Sequence, residues 1–79
     1  MQPEEIQRLI EAGLPGSRAI VEGDGSHFQA VVVSDEFSGK SLVQKQKLVY
    51  ATVNDKIASG ELHALSIKTY TSDEWETAQ

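Results

Sequence analysis

The sequence contains no cysteine, and this absence limits the chemistry open to it. Without cysteine the 79-residue chain forms no disulfide and supplies no thiolate to a metal. It also lacks any apolar run near the roughly 20 residues that a bilayer-spanning helix needs. The acidic, amphipathic start MQPEEIQRLIEAG has neither the basic residues nor the apolar run of a signal peptide. We therefore expect a cytoplasmic protein without membrane contact.

Positive charge is scarce as well, which argues against nucleic acid as the default partner. Seven Lys and Arg residues stand against twelve Asp and Glu residues, for a net charge of −5. Phosphate backbones are bound through cations that displace counterions, and an acidic chain offers few of them. The exception is a local cluster of Lys40, Lys45 and Lys47. This cluster is a solvated helix face, a docking surface for a partner, or a nucleic-acid contact.

The first half of the chain predicts a helix followed by a β-hairpin. Over residues 3 to 13 apolar side chains recur at helical spacing, and a glycine ends the pattern. Residues 18 to 22 and 27 to 34 are strand candidates. The GDG between them is a hairpin signal, because Gly and Asp tolerate the positive φ of tight turns.

The second half predicts a long helix, a third strand and a short terminal helix. Ser41 is expected to cap a helix that runs to about Ser59, with a kink or split where Thr52 and Val53 lower helix propensity. Residues 62 to 69 alternate as a strand, and residues 72 to 79 form a helix capped by Ser72 and docked by Trp75. The apolar stripe of the long helix is expected in the core: Leu42, Val49, Tyr50, Val53 and Ile57.

The order of these elements, α-β-β-α-β-α, predicts an α/β (α+β) fold in a single domain of residues 1 to 79. A hairpin followed by a strand that returns after a helix makes a three-stranded mixed sheet with helices on one face. The crossover helix allows strands two and three to lie parallel.

Three segments of the sequence resemble the BolA/IbaG family: GDGSHFQAVVVS, FSGKSLVQKQKLVY and LHALSIKTYT. They stand in the family's order, and the resemblance spans residues 4 to 75. The short turn GDGSHF, and Gln46 where BolA-branch sequences usually carry histidine, are more similar to the IbaG branch. The resemblance implies a fold similar to class II KH domains, and binding partners in place of catalysis.

The same resemblance implies a [2Fe–2S] cluster shared with a monothiol glutaredoxin. The family's constant cluster ligand, the histidine of the LHALSIK segment, is His63 here, and the second ligand, from the loop between the first two strands, is His27. The glutaredoxin would add its own cysteine and the thiol of glutathione, so this chain alone would hold no cluster. The implied output is iron–sulfur cluster trafficking, or iron and stress sensing.

Other interpretations stay open at this point. Taken alone, each histidine is more often an ordinary polar residue than a ligand. The lysine cluster would suit a nucleic-acid-binding regulator, although the segment has no arginine and no GxxG loop. A weak homodimer would offer four histidines. An enzyme is disfavoured, because Asp24, Ser26 and His27 are too close in sequence for a catalytic triad.

Overall fold

Eight short elements make up the fold, which a computed structural model describes over residues 1–78. Gln79, the last residue of the predicted terminal helix, lies outside the described residues. The elements in chain order are α1 (Pro3–Gly13), β1 (Arg18–Gly23), β2 (Phe28–Val33), a 3-10 helix (Asp35–Phe37), α2 (Leu42–Thr52), α3 (Asn54–Ser59), β3 (Leu65–Tyr70) and α4 (Ser72–Ala78).

The three strands form one mixed sheet in the order β1-β2-β3, as predicted. β1 and β2 pair antiparallel through the hairpin, with Gly23 opposite Phe28. β2 and β3 pair parallel, with Phe28 opposite Leu65. The two helices between β2 and β3 provide the crossover that a parallel pair requires. β2 is therefore the central strand, and β1 and β3 are the edges.

The core lies between one face of the sheet and the helices. α1 packs against β1 and α2, and α2 packs against β3. From Phe28 to Val32 the buried side chains of β2 alternate with more exposed ones, which is the period-2 pattern of a strand with one face covered, and Val33 at the strand end is buried as well. The buried cluster consists of Ile6, Ile10, Leu14, Ala19, Phe28, Ala30, Val32, Phe37, Val49, Val53 and Leu62.

The predicted long helix is split into α2 and α3 at Val53. Thr52 Oγ1 donates to the carbonyl of Val49 at 2.6 Å, and Val53 leaves helical geometry with φ −119° and ψ 15°. The split confirms the break anticipated at these two β-branched residues. α3 then ends at Gly60, whose φ of 84° is the left-handed conformation that glycine adopts without strain.

Because of the split, the predicted apolar stripe is only partly a core face. Val49 and Val53 are buried as expected. The prediction is wrong for Leu42, Tyr50 and Ile57, which are 69%, 37% and 38% exposed. Leu42 stands in the first turn of α2, at the end of the helix, and Ile57 follows the break, so one continuous stripe cannot serve both helices.

The cap of the terminal helix lies one residue earlier than predicted. Thr71 and Glu74 form a reciprocal capping box: Thr71 N–H donates to Glu74 Oε1 at 2.8 Å, and Glu74 N–H donates to Thr71 Oγ1 at 3.3 Å. Ser72, the expected cap, is already the first helical residue. Trp75 docks the helix as predicted, with its ring 5.2 Å from that of Tyr70. None of the helices described is long and apolar enough to cross a membrane.

Candidate metal centre

His27 lies in the hairpin turn, where its backbone is held and its side chain is exposed. The carboxylate of Asp24 accepts the N–H groups of Ser26 and His27 through Oδ1, each at 2.9 Å. The N–H of Asp24 donates in return to the carbonyl of His27 at 3.2 Å. An aspartate that bonds the backbone two residues on is the usual way in which this residue stabilises a turn.

The electrostatics of the turn follow from these contacts. The backbone N–H of His27, and then that of Ser26, stabilise the charged carboxylate, so the pKa of Asp24 lies below its ordinary value of 3.8. The carboxylate is therefore ionised at neutral pH and already has two donors. Its role is to shape the turn that presents His27.

His63 lies in the irregular segment between α3 and β3, and it is exposed. The sequence placed it in the third strand, but that strand begins only at Leu65. The residue before His63, Leu62, is fully buried and donates its N–H to the carbonyl of Lys56 at 3.0 Å. The chain thus uses Leu62 as a core anchor and joins the sheet later than the alternation of residues suggested.

The sheet brings the two histidine-bearing segments to the same end of the β2–β3 pair. The N–H of Phe28 donates to the carbonyl of Ala64 at 2.8 Å. Each partner in this bond is the residue directly after a histidine, His27 on one side and His63 on the other. Paired strands lie about 4.8 Å apart. Residues 36 positions apart in the sequence therefore sit on adjacent backbone segments.

The surfaces around the two rings differ. His63 lines a groove of about 150 Å³ with mainly apolar neighbours: Tyr50, Ile57, Leu62, Ala64 and Leu65. His27 lines a groove of about 280 Å³ with Glu22, Gly23, Asp24 and Gln29. A molecule that approaches this end of the sheet therefore meets an apolar surface around His63 and a polar, acidic surface around His27.

The donor set fits a shared metal group and does not complete one. Within residues 1–78 there is no group of three or more His, Cys, Asp or Glu side chains that could hold a metal ion. Two imidazoles could fill two of the four terminal ligand positions of a [2Fe–2S] cluster. The thiolate ligands would have to come from another molecule, because the chain has no cysteine.

Two residues around His63 were not predicted as part of the site. Tyr50 and Ile57 were assigned to the core, yet both line the His63 groove. Tyr50 Oη donates to the carbonyl of Leu65 at 3.1 Å, so its polar tip has a specific partner. A tyrosine at the margin of an apolar stripe is the sequence signal for such a role, since its hydroxyl needs a partner or water.

The predicted lysine cluster is divided in the structure. Lys40 and Lys47 are exposed and line one surface groove of about 320 Å³ beside Leu48 and Ala51. Lys45 is half-buried and close enough to Glu74 for its charge to contribute to the lowered pKa of that carboxyl, after the hydrogen bonds from Thr71. Residues two apart on a helix do not share a face, which separates Lys45 from Lys47.

Comparisons with known proteins agree with this fold. The family described as BolA-like protein matches residues 9–74. The chain is 44% identical over 75 residues to the acid stress protein IbaG of Escherichia coli K12, covering 95% of this chain and 89% of that protein. It is 37% identical to a DNA-binding transcriptional regulator BolA of Vibrio cholerae, covering 95% of this chain and 67% of the relative.

A solved structure extends the agreement to the backbone. A bolA protein homologue from Coxiella burnetii superposes with a TM-score of 0.87 at 44% identity, covering 96% of this chain and 97% of the homologue. The resemblance stated from three sequence segments is thereby confirmed over nearly the whole chain. On the family match, the sequence identity and the shared fold together, this chain belongs to the BolA-like family.

Proposed function

We propose that this protein is a non-enzymatic, cytoplasmic partner of a monothiol glutaredoxin, with which it shares a glutathione-assisted [2Fe–2S] cluster for cluster trafficking or for iron and stress sensing. The observation that carries the proposal is the placement of His27 and His63. Both side chains are exposed, and the Phe28–Ala64 hydrogen bond joins their backbone segments.

The chemistry of the chain explains why a partner is needed. Neutral imidazole is a good ligand for iron, and two histidines in place of two thiolates raise the potential of a [2Fe–2S] centre. The glutaredoxin cysteine and the glutathione thiol would provide the sulfur ligands that this cysteine-free chain lacks. Such thiols stay reduced in the cytoplasm, where glutathione is abundant.

The two histidines should contribute unequally. His63 stands between Leu62, which is fully buried, and Ala64, whose carbonyl is hydrogen-bonded to β2. The backbone of His27 is held as well, by its hydrogen bonds with Asp24 and by the buried Phe28 that follows it. The ranking therefore rests on the family resemblance: we expect His63, at the position of the constant ligand, to be the principal ligand and His27 an auxiliary one.

Cluster reconstitution tests the proposal. The protein is mixed with a monothiol glutaredoxin, glutathione, ferrous iron and sulfide, and visible absorption and circular dichroism are compared with those of the glutaredoxin alone. A new spectrum that His63→Ala abolishes and His27→Ala weakens is the expected result. Gln29→Ala is the matched control, because Gln29 lines the His27 groove with an amide that should not bind iron. A spectrum identical to that of glutaredoxin alone would refute the shared cluster.

Nucleic-acid binding is the second candidate, favoured by the relative that is called a DNA-binding transcriptional regulator. In this chain it would use Lys40 and Lys47, with Lys45 contributing less because it lies towards Glu74. The net charge of −5 works against it. Binding of a duplex that weakens steeply between about 50 and 200 mM salt, and further with Lys40→Ala and Lys47→Ala, would support this candidate.

A further inference from the structure

The edge of β3 that does not pair with β2 is covered by side chains of α2. Phe28 of β2 donates to the carbonyl of Ala64, and carbonyls alternate in direction along a strand. The carbonyls of Leu65 and Ile67 therefore face away from β2. An edge of this kind needs partners from a helix, a loop or water.

Two residues of α2 supply those partners at matched spacing. Gln46 Nε2 donates to the carbonyl of Ile67 at 3.1 Å, and Tyr50 Oη donates to the carbonyl of Leu65 at 3.1 Å. Four residues of helix advance about 6 Å, and two residues of strand advance about 6.6 Å. α2 thus runs antiparallel to β3, and its side chains contact the edge of β3 at Ile67 and at Leu65, two residues apart on the strand.

The contact between Tyr50 and Leu65 adjoins the segment that carries His63. That segment is held at Leu62, whose N–H reaches the carbonyl of Lys56, and at Ala64, whose carbonyl accepts from Phe28. Tyr50 holds it from the opposite edge, at Leu65. Tyr50 and His63 also line the same groove.

We propose that Tyr50 is a positioning residue for His63, acting through the hydrogen bond from its hydroxyl to the carbonyl of Leu65. This inference rests on the proposed function, in which His63 is the principal ligand. The hydroxyl fixes where β3 starts and so limits how far residues 62 to 64 can move. The backbone of His63 is then already in place when the partner arrives, and little ordering is left to be done on binding.

The hydroxyl, and not the ring, carries this role. The Tyr50 residue is 37% exposed, so it adds little to the core. Tyr50→Phe removes one donor, keeps the ring, and opens no cavity. The result is a variant whose main change is the loss of one contact at Leu65.

Amide hydrogen exchange tests the proposal on the protein without metal. The Phe28 and Leu62 amides report opening on either side of His63, and the Ser34 amide, bonded to the carbonyl of Tyr70 at 2.9 Å, reports the far end of the same strand pair. In Tyr50→Phe we expect Phe28 and Leu62 to exchange about two- to tenfold faster relative to Ser34, since a typical hydrogen bond is lost. Tyr70→Phe, which removes the same atom at the far end of β3, should leave those ratios unchanged.

The role in cluster binding has its own measurement. The shared cluster should be lost severalfold faster from the Tyr50→Phe complex with glutaredoxin than from the Tyr70→Phe complex. The positioning role would be overturned if amide exchange in Tyr50→Phe were accelerated equally at Ser34, or not accelerated at Phe28 and Leu62. An unchanged cluster lifetime would overturn it as well. If the wild-type chain forms no cluster at all, the proposed function fails, while the exchange ratios still show whether Tyr50 holds the segment.

Discussion

At the scale of single residues, the hairpin turn depends on one carboxylate. Asp24 accepts two backbone N–H groups and donates its own N–H across the turn. His27 is presented by this arrangement and makes no contribution to the core, since its side chain is exposed. Protonation of Asp24 should therefore weaken the hydrogen bonds that shape the turn.

The stability contributed by Asp24 should depend on pH in a defined direction. Because the folded state lowers the pKa of Asp24 below 3.8, the contribution is complete above that value and is lost as the pH falls through the lowered pKa. A carboxyl-carbon NMR titration should place the Asp24 midpoint below 3.8. The Ser26 and His27 amide shifts should follow that midpoint, and Asp24→Asn, which keeps an acceptor oxygen but does not titrate, should abolish the response. A midpoint at or above 3.8 would contradict this description of the turn.

Gly23 is required at the hairpin end because the backbone passes too close for a side chain. A Cβ placed there would lie 2.5 Å from the carbonyl oxygen of His27 and 2.5 Å from Cδ1 of Phe28. Gly23→Ala should therefore displace the turn and cost about 1–3 kcal/mol in the free energy of unfolding, as overpacking does. Urea denaturation measures the loss, and Glu22→Ala, at the exposed neighbour on the same strand, is the control. Wild-type stability in Gly23→Ala would mean that the turn relaxes freely.

At the scale of elements, α2 covers the edge of β3, and its own sequence determines where it begins and where it ends. Its N-terminus is closed by a capping box, in which Ser41 Oγ accepts from Gln44 N–H at 3.2 Å and Gln44 Oε1 accepts from Ser41 N–H at 2.9 Å. Its C-terminus breaks at Thr52 and Val53. Between these limits the helix carries Gln46 and Tyr50 to the strand edge.

Loss of the Gln46 side chain should weaken the attachment of α2 to β3. Gln46→Ala leaves the partly buried carbonyl of Ile67 without its donor, and we expect a loss of about 1 kcal/mol in the free energy of unfolding. Lys47→Ala on the exposed face of the same helix should change stability by less than about 0.5 kcal/mol. Thermal unfolding followed by circular dichroism compares the two. Equal effects would show that water replaces the Gln46 contact at no cost.

At the scale of the whole molecule, one small core holds the sheet and helices together, and the candidate site lies at one end of it. The core cluster draws residues from α1, β1, β2, the 3-10 helix and α2, together with Val53 at the α2–α3 break and Leu62 after α3. Exposed apolar residues stand outside this cluster, with Leu42 the most exposed of them at 69%. Apolar character in α2 is therefore a poor guide to its contribution to stability.

The contrast between Val49 and Leu42 gives a direct test of where the core ends. Val49 is fully buried, and Val49→Ala should cost about 2 kcal/mol through lost burial and the space left behind. For a domain of this size that corresponds to a decrease in Tm of roughly 10 °C. Leu42→Ala removes a larger side chain yet should change Tm by no more than about 3 °C. A larger loss for Leu42→Ala than for Val49→Ala would contradict the described packing of α2.

Sequence reasoning predicted most of the elements and less of the site. Helix α1, the GDG hairpin, the break after Thr52 and the parallel β2–β3 pair are confirmed, because each depends on residues close together in the chain or on simple connection rules. The exposure of Tyr50 and Ile57 was missed, because Tyr50 reaches across to the edge of β3 and Ile57 lies in α3, after the break in the helix. The strand position predicted for His63 was wrong, because Leu62 is drawn into the core.

By itself, the sequence determined the order of the elements, the absence of any thiolate ligand and the two histidines as candidate nitrogen ligands. Local propensity, turn chemistry and composition suffice for these. Only the tertiary structure decided that His27 and His63 lie on adjacent segments, through the Phe28–Ala64 hydrogen bond, and that Tyr50 faces the His63 groove. Those facts depend on strand register and on contacts between residues far apart in the chain, which are settled when the sheet and helices pack together.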